Sequence, residues 1–453
     1  MLNFLTYALL AGYFALVITI GVRAGYKQSS EDFLISDRNR GGFWAGVSLA
    51  SAWFGGDFLS FYSGLTYSFG WAPLVWTQIG FALGFWVLVY FVQELKTLAD
   101  KYKMYTLPDY FYQKYSRRCG AALQVCNISL FFGWLMLQFV VGGKLISGFT
   151  GFSYTIAVVG MAALTLPYLV FGGYKAVLNT DIVQFLFLSV LSLFLVGKAF
   201  DQNITQMPPL STIGSMGGSA TFSTLILMAS WIIASGDIWQ HLYATRSVKA
   251  AKSSLFWALV VSTVLTTIMT MIFLLALPLA QEKAVLEKDF LMFALQNLFP
   301  TVLMPFVILL LTISIGSSLD TAAFGTSLSL TNDLVKFGLI PSVRLAFATR
   351  ISLCVVMVLA ILGAYIATDV IDIIFGIAGI ASCSAVGLIA SFWRSRFSEP
   401  AIFWSLILGI GCYILNLVQG WSGAWFDLLP LGTAIVGLLT TEFLYRFNGQ
   451  RSN

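Results

Sequence analysis

Residues 314–321 read Ser314-Ile-Gly-Ser317-Ser318-Leu-Asp320-Thr321. In a helix, residues three and four apart share a face. Ser317, Asp320 and Thr321 therefore form one oxygen-bearing patch, and Ser318 sits on the adjoining face above the backbone carbonyl of Ser314. Sodium is a hard cation that takes several oxygen ligands, and hydroxyls with freed carbonyls supply them. The plainer reading is that each hydroxyl bonds back to the carbonyl four residues earlier. Two adjacent hydroxyls plus an Asp and a Thr on one side exceed what that reading explains. A broken helix would add carbonyls, and Ser51-Ala-Trp-Phe-Gly55-Gly56-Asp57 is the candidate break. A second stretch, Trp231-Ile-Ile-Ala-Ser235-Gly236-Asp237, has the same glycine–aspartate signature.

Four carboxylates, Asp57, Asp181, Asp237 and Asp320, fall within or at the ends of apolar runs. A charge in the bilayer costs about 2.5–3.5 kcal/mol on insertion scales, so such a group faces a cavity, a partner or an ion pathway. The bland counterpart is a carboxylate bonded to a neighbouring helix or placed at a helix end. Enzyme signatures are poor. His241 is the single histidine and stands near basic loop residues, and no HExxH, P-loop or GxSxG context occurs. The five cysteines have no metal-ligand spacing and read as small buried apolar residues.

These residues are carried by a very apolar chain. It has 453 residues, 58% hydrophobic and 10% charged, with a mean hydropathy of +0.86; soluble domains carry about 25% charge. The apolar runs are about 20 residues long, the length of a membrane-crossing helix, and too long and continuous for barrel strands. We read an all-α integral membrane fold of about thirteen spans, near 2–24, 43–70, 72–93, 120–147, 153–172, 178–200, 222–240, 253–280, 300–335, 343–367, 370–393, 401–419 and 427–446. The first run is read as a retained span rather than a cleaved signal. With the N-terminus outside, 21 of the 25 Lys and Arg residues fall on the inner side, leaving Lys144, Lys198, Lys283 and Lys288 outside. The positive-inside rule then places the C-terminus in the cytoplasm. The net charge of +5 is spread over short loops and is no nucleic-acid signal. The two breaks open matching places in two five-helix halves, the sequence pointer to a transporter site; glycines as packing points are the alternative.

At this point the sequence resembles the sodium:solute symporter family, which includes bacterial proline, sialic acid and galactose symporters and the animal sodium/glucose cotransporters. The similarity runs from span two through span ten. It is carried in order by Ser51–Phe58 with Ser63-Gly64, by Thr106-Leu-Pro-Asp-Tyr110, and by Gln138, Gly142-Gly-Lys-Leu and Thr150-Gly151. Then follow Gly172-Gly-Tyr-Lys-Ala176 with Thr180-Asp181-Ile-Val-Gln184, Asp237–Arg246, and Ser317-Ser318-Leu-Asp320 with Ser327 and Thr331-Asn-Asp333-Leu334.

The resemblance implies a leucine-transporter-type 5+5 inverted repeat, with 43–200 and 222–396 as the halves and 1–24 and 401–446 as peripheral helices. It implies a first sodium site from the carbonyls of Ser51, Phe54 and Ser314 and the hydroxyls of Ser317 and Ser318. It implies a second sodium at Asp181, with Ser317, Asp320 and Thr321 as partners. Three departures stand out: Ser314 replaces a usual alanine, Asp320 stands where several members carry Ser or Thr, and Trp53, Phe54 and Asp57 stand where the family places small or polar residues. The expected function is sodium-coupled symport of a small organic solute (amino acid, sugar or organic acid) by alternating access, in the inner cell membrane, by a monomer or weak homo-oligomer. Trp53, Asp57, Gln138 and Trp231 are the expected substrate contacts, and Asp57 points to an amino group. Proton coupling through Asp181 or Asp320 is the alternative. A membrane sensor related to transporter-like histidine kinases is the rival from another class; the chain ends at Asn453 and is expected to carry no kinase.

Overall fold

The computed structural model describes residues 4–200, 207–366, 370–393, 397–421 and 423–451. Leu2, where the first span was expected to begin, and Arg394 and Arg396, counted among the inner basic residues, lie outside them. Seventeen α-helices make up the described chain, with no strand among these residues. They are α1 (Phe4–Gly25), α2 (Ser30–Ile35), α3 (Gly42–Trp53), α4 (Gly56–Phe69), α5 (Ala72–Tyr102), α6 (Pro108–Lys114), α7 (Arg117–Thr150), α8 (Tyr154–Phe200) and α9 (Gly217–Ala234). The remainder are α10 (Gly236–Ala244), α11 (Val248–Glu282), α12 (Phe290–Leu298), α13 (Met304–Lys336), α14 (Leu345–Ile366), α15 (Val370–Phe392), α16 (Glu399–Gln419) and α17 (Ala424–Arg451).

Ten described helices are long and apolar enough to cross a bilayer, against thirteen spans expected. The difference lies in three places. Span two is divided into α3 and α4, of 12 and 14 residues, each short of a full crossing. Spans five and six are joined in α8, whose 47 residues would reach about 70 Å if straight. Gly173 interrupts it with φ 57° and ψ −149°, a conformation essentially reserved for glycine, and a side chain there would also meet Phe33. Span eleven is α15, whose 23 residues are enough to cross, with Gly376–Phe392 as the apolar stretch among the described residues.

Helix α13 packs against α7, α8 and α14, α3 against α11, and α1 against α8. In its most apolar window α13 is 72% buried, against 22% for α1 and for α17. A helix that must hold serines, threonines and an aspartate away from lipid therefore sits at the centre, shielded by helices that present their own apolar faces outward. Three short helices, α2, α6 and α12, were not expected. Two sequence motifs meet at α6: Asp109 accepts the N–H groups of Tyr105 (2.8 Å) and Thr106 (3.0 Å), the Asn332 amide of α13 at 3.0 Å and the Lys336 ammonium at 2.9 Å. Nearby, Arg38 bridges Glu31 at 2.8 Å and the Met104 carbonyl at 2.8 Å. Burial, and then the Glu31 carboxylate to which it donates, raise the Tyr105 hydroxyl above the ordinary phenol range, so it stays a donor.

A hydroxyl cluster and an aromatic cavity at the broken helix

The chain leaves helical geometry at Phe54 (ψ 53°) and Gly55 (ψ −176°) before α4 begins. A helix end leaves carbonyls without intrahelical partners, and here they turn to α13. Ser318 Oγ donates to the Ala52 carbonyl at 2.5 Å, and Ser314 Oγ donates to the Phe54 carbonyl. Ser51 Oγ lies 3.1 Å from Ser317 Oγ, while the Ser51 carbonyl takes the Phe54 N–H at 3.1 Å. Every one of these side chains is buried. Ser314 thus contributes its hydroxyl, which its backbone position alone did not suggest, and Ala52 joins a set read from sequence as Ser51 and Phe54.

Ser317 extends the cluster toward α8, donating to Asp181 Oδ1 at 2.7 Å. Ser48 of α3 donates to Asp181 Oδ2 at 2.6 Å. Asp320 is turned to a different set: Tyr168 donates to its Oδ2 at 2.7 Å, and Thr180 and Thr321 approach at 3.4 Å. Asp181 and Asp320 are both fully buried, and no basic side chain pairs with either among the described residues. Such a pair is costly unless a cation or a proton offsets it. His241 was read as a loop-side residue, yet it is fully buried, 3.1 Å from Ser48 Oγ and 2.8 Å from the Asp237 carbonyl. Ser48, Tyr168 and His241 were missed in the sequence because each is a lone polar residue whose partner lies far along the chain. Among the described residues no three His, Cys, Asp or Glu side chains converge as a metal site. The donor set is hydroxyls, carbonyls and carboxylates, which suits a hard cation rather than a soft one.

On the other side of the break, Gln138 Oε1 accepts the Gly56 N–H at 3.1 Å while its amide donates to Asp57 Oδ1 at 2.7 Å. Asp57 faces a cavity of about 80 Å³ walled by Trp53, Phe58, Tyr62, Phe81, Trp134 and Trp231. All four expected substrate contacts are therefore at this place, three lining the cavity and Gln138 holding Asp57. The cavity shares Phe61 and Ile374 with a larger one of about 460 Å³ that reaches Lys144, Glu287 and Lys288. Beneath it, Trp53 Nε1 donates to Asp237 Oδ2 at 2.6 Å, and Ser235 Oγ donates to Asp237 Oδ1. This joins the first break to the second, at Ser235 between α9 and α10.

Known proteins resemble this chain in family and fold. The Sodium:solute symporter family model matches residues 33–409. A sodium/proline symporter of Staphylococcus aureus (strain JH9) is 28% identical over 196 residues, 40% of this chain and 37% of the relative. The chain thus spans under two fifths of the length of the curated relatives it matches. A substrate-bound, outward-open Na+-coupled sialic acid symporter superposes with a TM-score of 0.80 at 16% identity, covering 98% of each chain. Mhp1, a nucleobase-cation-symport-1 family transporter in a closed conformation, superposes with a TM-score of 0.64 at 13% identity over 94% of this chain and 96% of that one. At these identities the likeness shows the fold, a membrane-embedded transporter fold of the leucine-transporter type. The family and these neighbours are transporters rather than enzymes. The chain belongs to the sodium:solute symporter family.

Proposed function

We propose that this protein couples the inward movement of sodium to that of a small organic solute by alternating access. One observation carries the reading: three hydroxyls of α13, from Ser314, Ser317 and Ser318, converge on the carbonyls and the serine freed where α3 ends. The first sodium is held there by the Ala52 and Phe54 carbonyls with Ser314, Ser317 and Ser318; the Ser51 carbonyl, expected in this set, joins once the Phe54 N–H releases it. The second is held at Asp181 with Ser317, and Asp320 and Thr321 complete its surroundings. Sodium binding ties α3 to α13, fixes the start of α4, and so raises affinity for a solute seated beside Trp53, Asp57, Gln138 and Trp231. A coupling free energy of about 1–3 kcal/mol is the usual size of such linkage.

The two breaks support reading 43–200 and 222–396 as the inverted halves, with 1–24 and 401–446 outside them. The basic-residue split supports an N-terminus outside and a cytoplasmic C-terminus in the inner cell membrane. In that orientation the larger cavity, with Lys144 and Lys288, opens outward, and the Trp53–Asp237 bond closes the inner side. A monomer is sufficient for this cycle.

One observation favours proton coupling as a second reading. The Asp237 carbonyl can only accept, so His241 Nδ1 donates to it. The Ser48 hydroxyl has one hydrogen and cannot donate to both Asp181 and His241 Nε2, so hydrogen bonds to both at once would require one proton more than an ionised Asp and a neutral His carry. Uptake into proteoliposomes decides between the readings. The sodium reading expects accumulation driven by a sodium gradient at equal pH. Accumulation driven by a pH gradient with sodium absent would overturn it.

A further inference from the structure

The cavity beside the first break is unusual in what it lacks. Asp57 is the single charged side chain lining it among the described residues. No Lys, Arg or His of the described chain pairs with Asp57; its partner is the neutral Gln138 amide at 2.7 Å. The carboxyl group sits in the first turn of α4, against the backbone N–H groups of Asp57 and Phe58. The Trp134 indole N–H is turned toward it without meeting hydrogen-bond geometry.

A broken-helix N-terminus would ordinarily attract the anionic group of a ligand. Here that role is already filled. Asp57 answers the positive end of α4, and Gln138 Oε1 takes the Gly56 N–H. A carboxylate on the solute would find no free backbone donor at the break, and the buried indole N–H without a hydrogen-bond partner, that of Trp134, is turned toward Asp57, whose charge the carboxylate would face. A sugar needs many donors and acceptors, yet beyond Asp57 the polar lining groups are Ser262, the three indole N–H groups of Trp53, Trp134 and Trp231, and the Tyr62 hydroxyl, which is engaged with Thr77 at 2.6 Å. The Trp53 N–H is itself spent on Asp237. What remains is one carboxylate at the foot of an aromatic wall. That combination binds a cation, through the charge and through the negative faces of the rings.

We infer that the cavity takes a small organic monocation, a substituted ammonium, in preference to a zwitterion, an anion or a sugar. This rests on the symport reading for the place of the solute, but not for the chemistry of its recognition. It sharpens the amino-group expectation drawn from Asp57, because it excludes amino acids carrying a free carboxylate.

The test is melting of the purified full chain in detergent, in NaCl and in KCl, with tetramethylammonium, choline, proline, lactate and galactose as probes. The ammonium probes are expected to raise the melting temperature in a saturable way, more strongly in NaCl, and the other three to leave it unmoved. Asp57→Asn is expected to weaken ammonium binding about 30-fold or more while sodium alone stabilises as in the native protein. Should Asp57→Asn fail to fold, Trp231→Leu reads the same wall and is expected to weaken ammonium binding about threefold. Stronger stabilisation by proline, lactate or galactose, no stabilisation by either ammonium, or native ammonium affinity in Asp57→Asn would overturn the inference. So would loss of sodium stabilisation in that variant, which makes Asp57 an ion ligand. If sodium fails to stabilise the native protein, the symport reading falls, and the ammonium titration in KCl then decides this inference by itself.

Discussion

The two broken helices start from nearly the same local chemistry and end in different places. Each break has a glycine followed by an aspartate, Gly56-Asp57 in the first and Gly236-Asp237 in the second. At the first, carbonyls and hydroxyls are turned across to α13, and Asp57 is left facing a cavity. At the second, Asp237 is consumed locally by Ser235 and Trp53, and Gly236 is pressed against Asn127 and Phe131. A break becomes a site only when the neighbouring helix brings oxygens to it. Helix α13 brings three serines to the first and none of them to the second. In the proposed cycle the first break serves binding and the second closure.

That contrast can be broken by substitution. The largest effect is expected from Asp181→Asn, which removes the charge joining Ser48 and Ser317; sodium affinity should fall about a hundredfold, read by titration of sodium-stimulated uptake. Gly55→Ala comes next. Its new methyl would meet Ser318 Oγ and Asp57 Oδ1, and sodium affinity should fall about tenfold with the fold retained in size-exclusion chromatography. Gly236→Ala, at the second break, should cost about 1–3 kcal/mol of stability through Asn127 and Phe131. Its sodium affinity, measured in the same titration, should stay native. Trp53→Phe should have the smallest effect. It removes the bond to Asp237 at a cost of about 1 kcal/mol, seen as a lowered melting temperature with sodium affinity within about threefold of native. Equal losses of sodium affinity at both breaks would erase the distinction.

Much of this was legible in the sequence because it was local. The hydroxyl run 314–321, the two glycine–aspartate breaks and the intramembrane carboxylates announce themselves by type and spacing, and the structure brings Ser51, Ser314, Ser317, Ser318 and Asp181 together. What was not legible depends on partners distant in the chain. Ser48 meets Asp181 across 133 positions, and Tyr168 meets Asp320 across 152; neither carries a local mark that separates it from an ordinary helix residue. The Ser314 hydroxyl was discounted because only its carbonyl was assigned a role, yet the rotation of α13 aims the side chain at the Phe54 carbonyl. The division of α8, by contrast, falls where spans five and six were read as separate, between 172 and 178, and Gly173 makes it with a positive φ. The helices α2, α6 and α12 are too short for a periodic pattern to establish.

The central claim is that the oxygens between α3 and α13 hold sodium. The most direct measurement is the sodium dependence of the melting temperature of the purified protein, compared with the Ser317→Ala/Ser318→Ala double variant at matched ionic strength in KCl. The account predicts saturable stabilisation by sodium over potassium in the native protein and its loss in the double variant. Equal sodium stabilisation of the two proteins would contradict it.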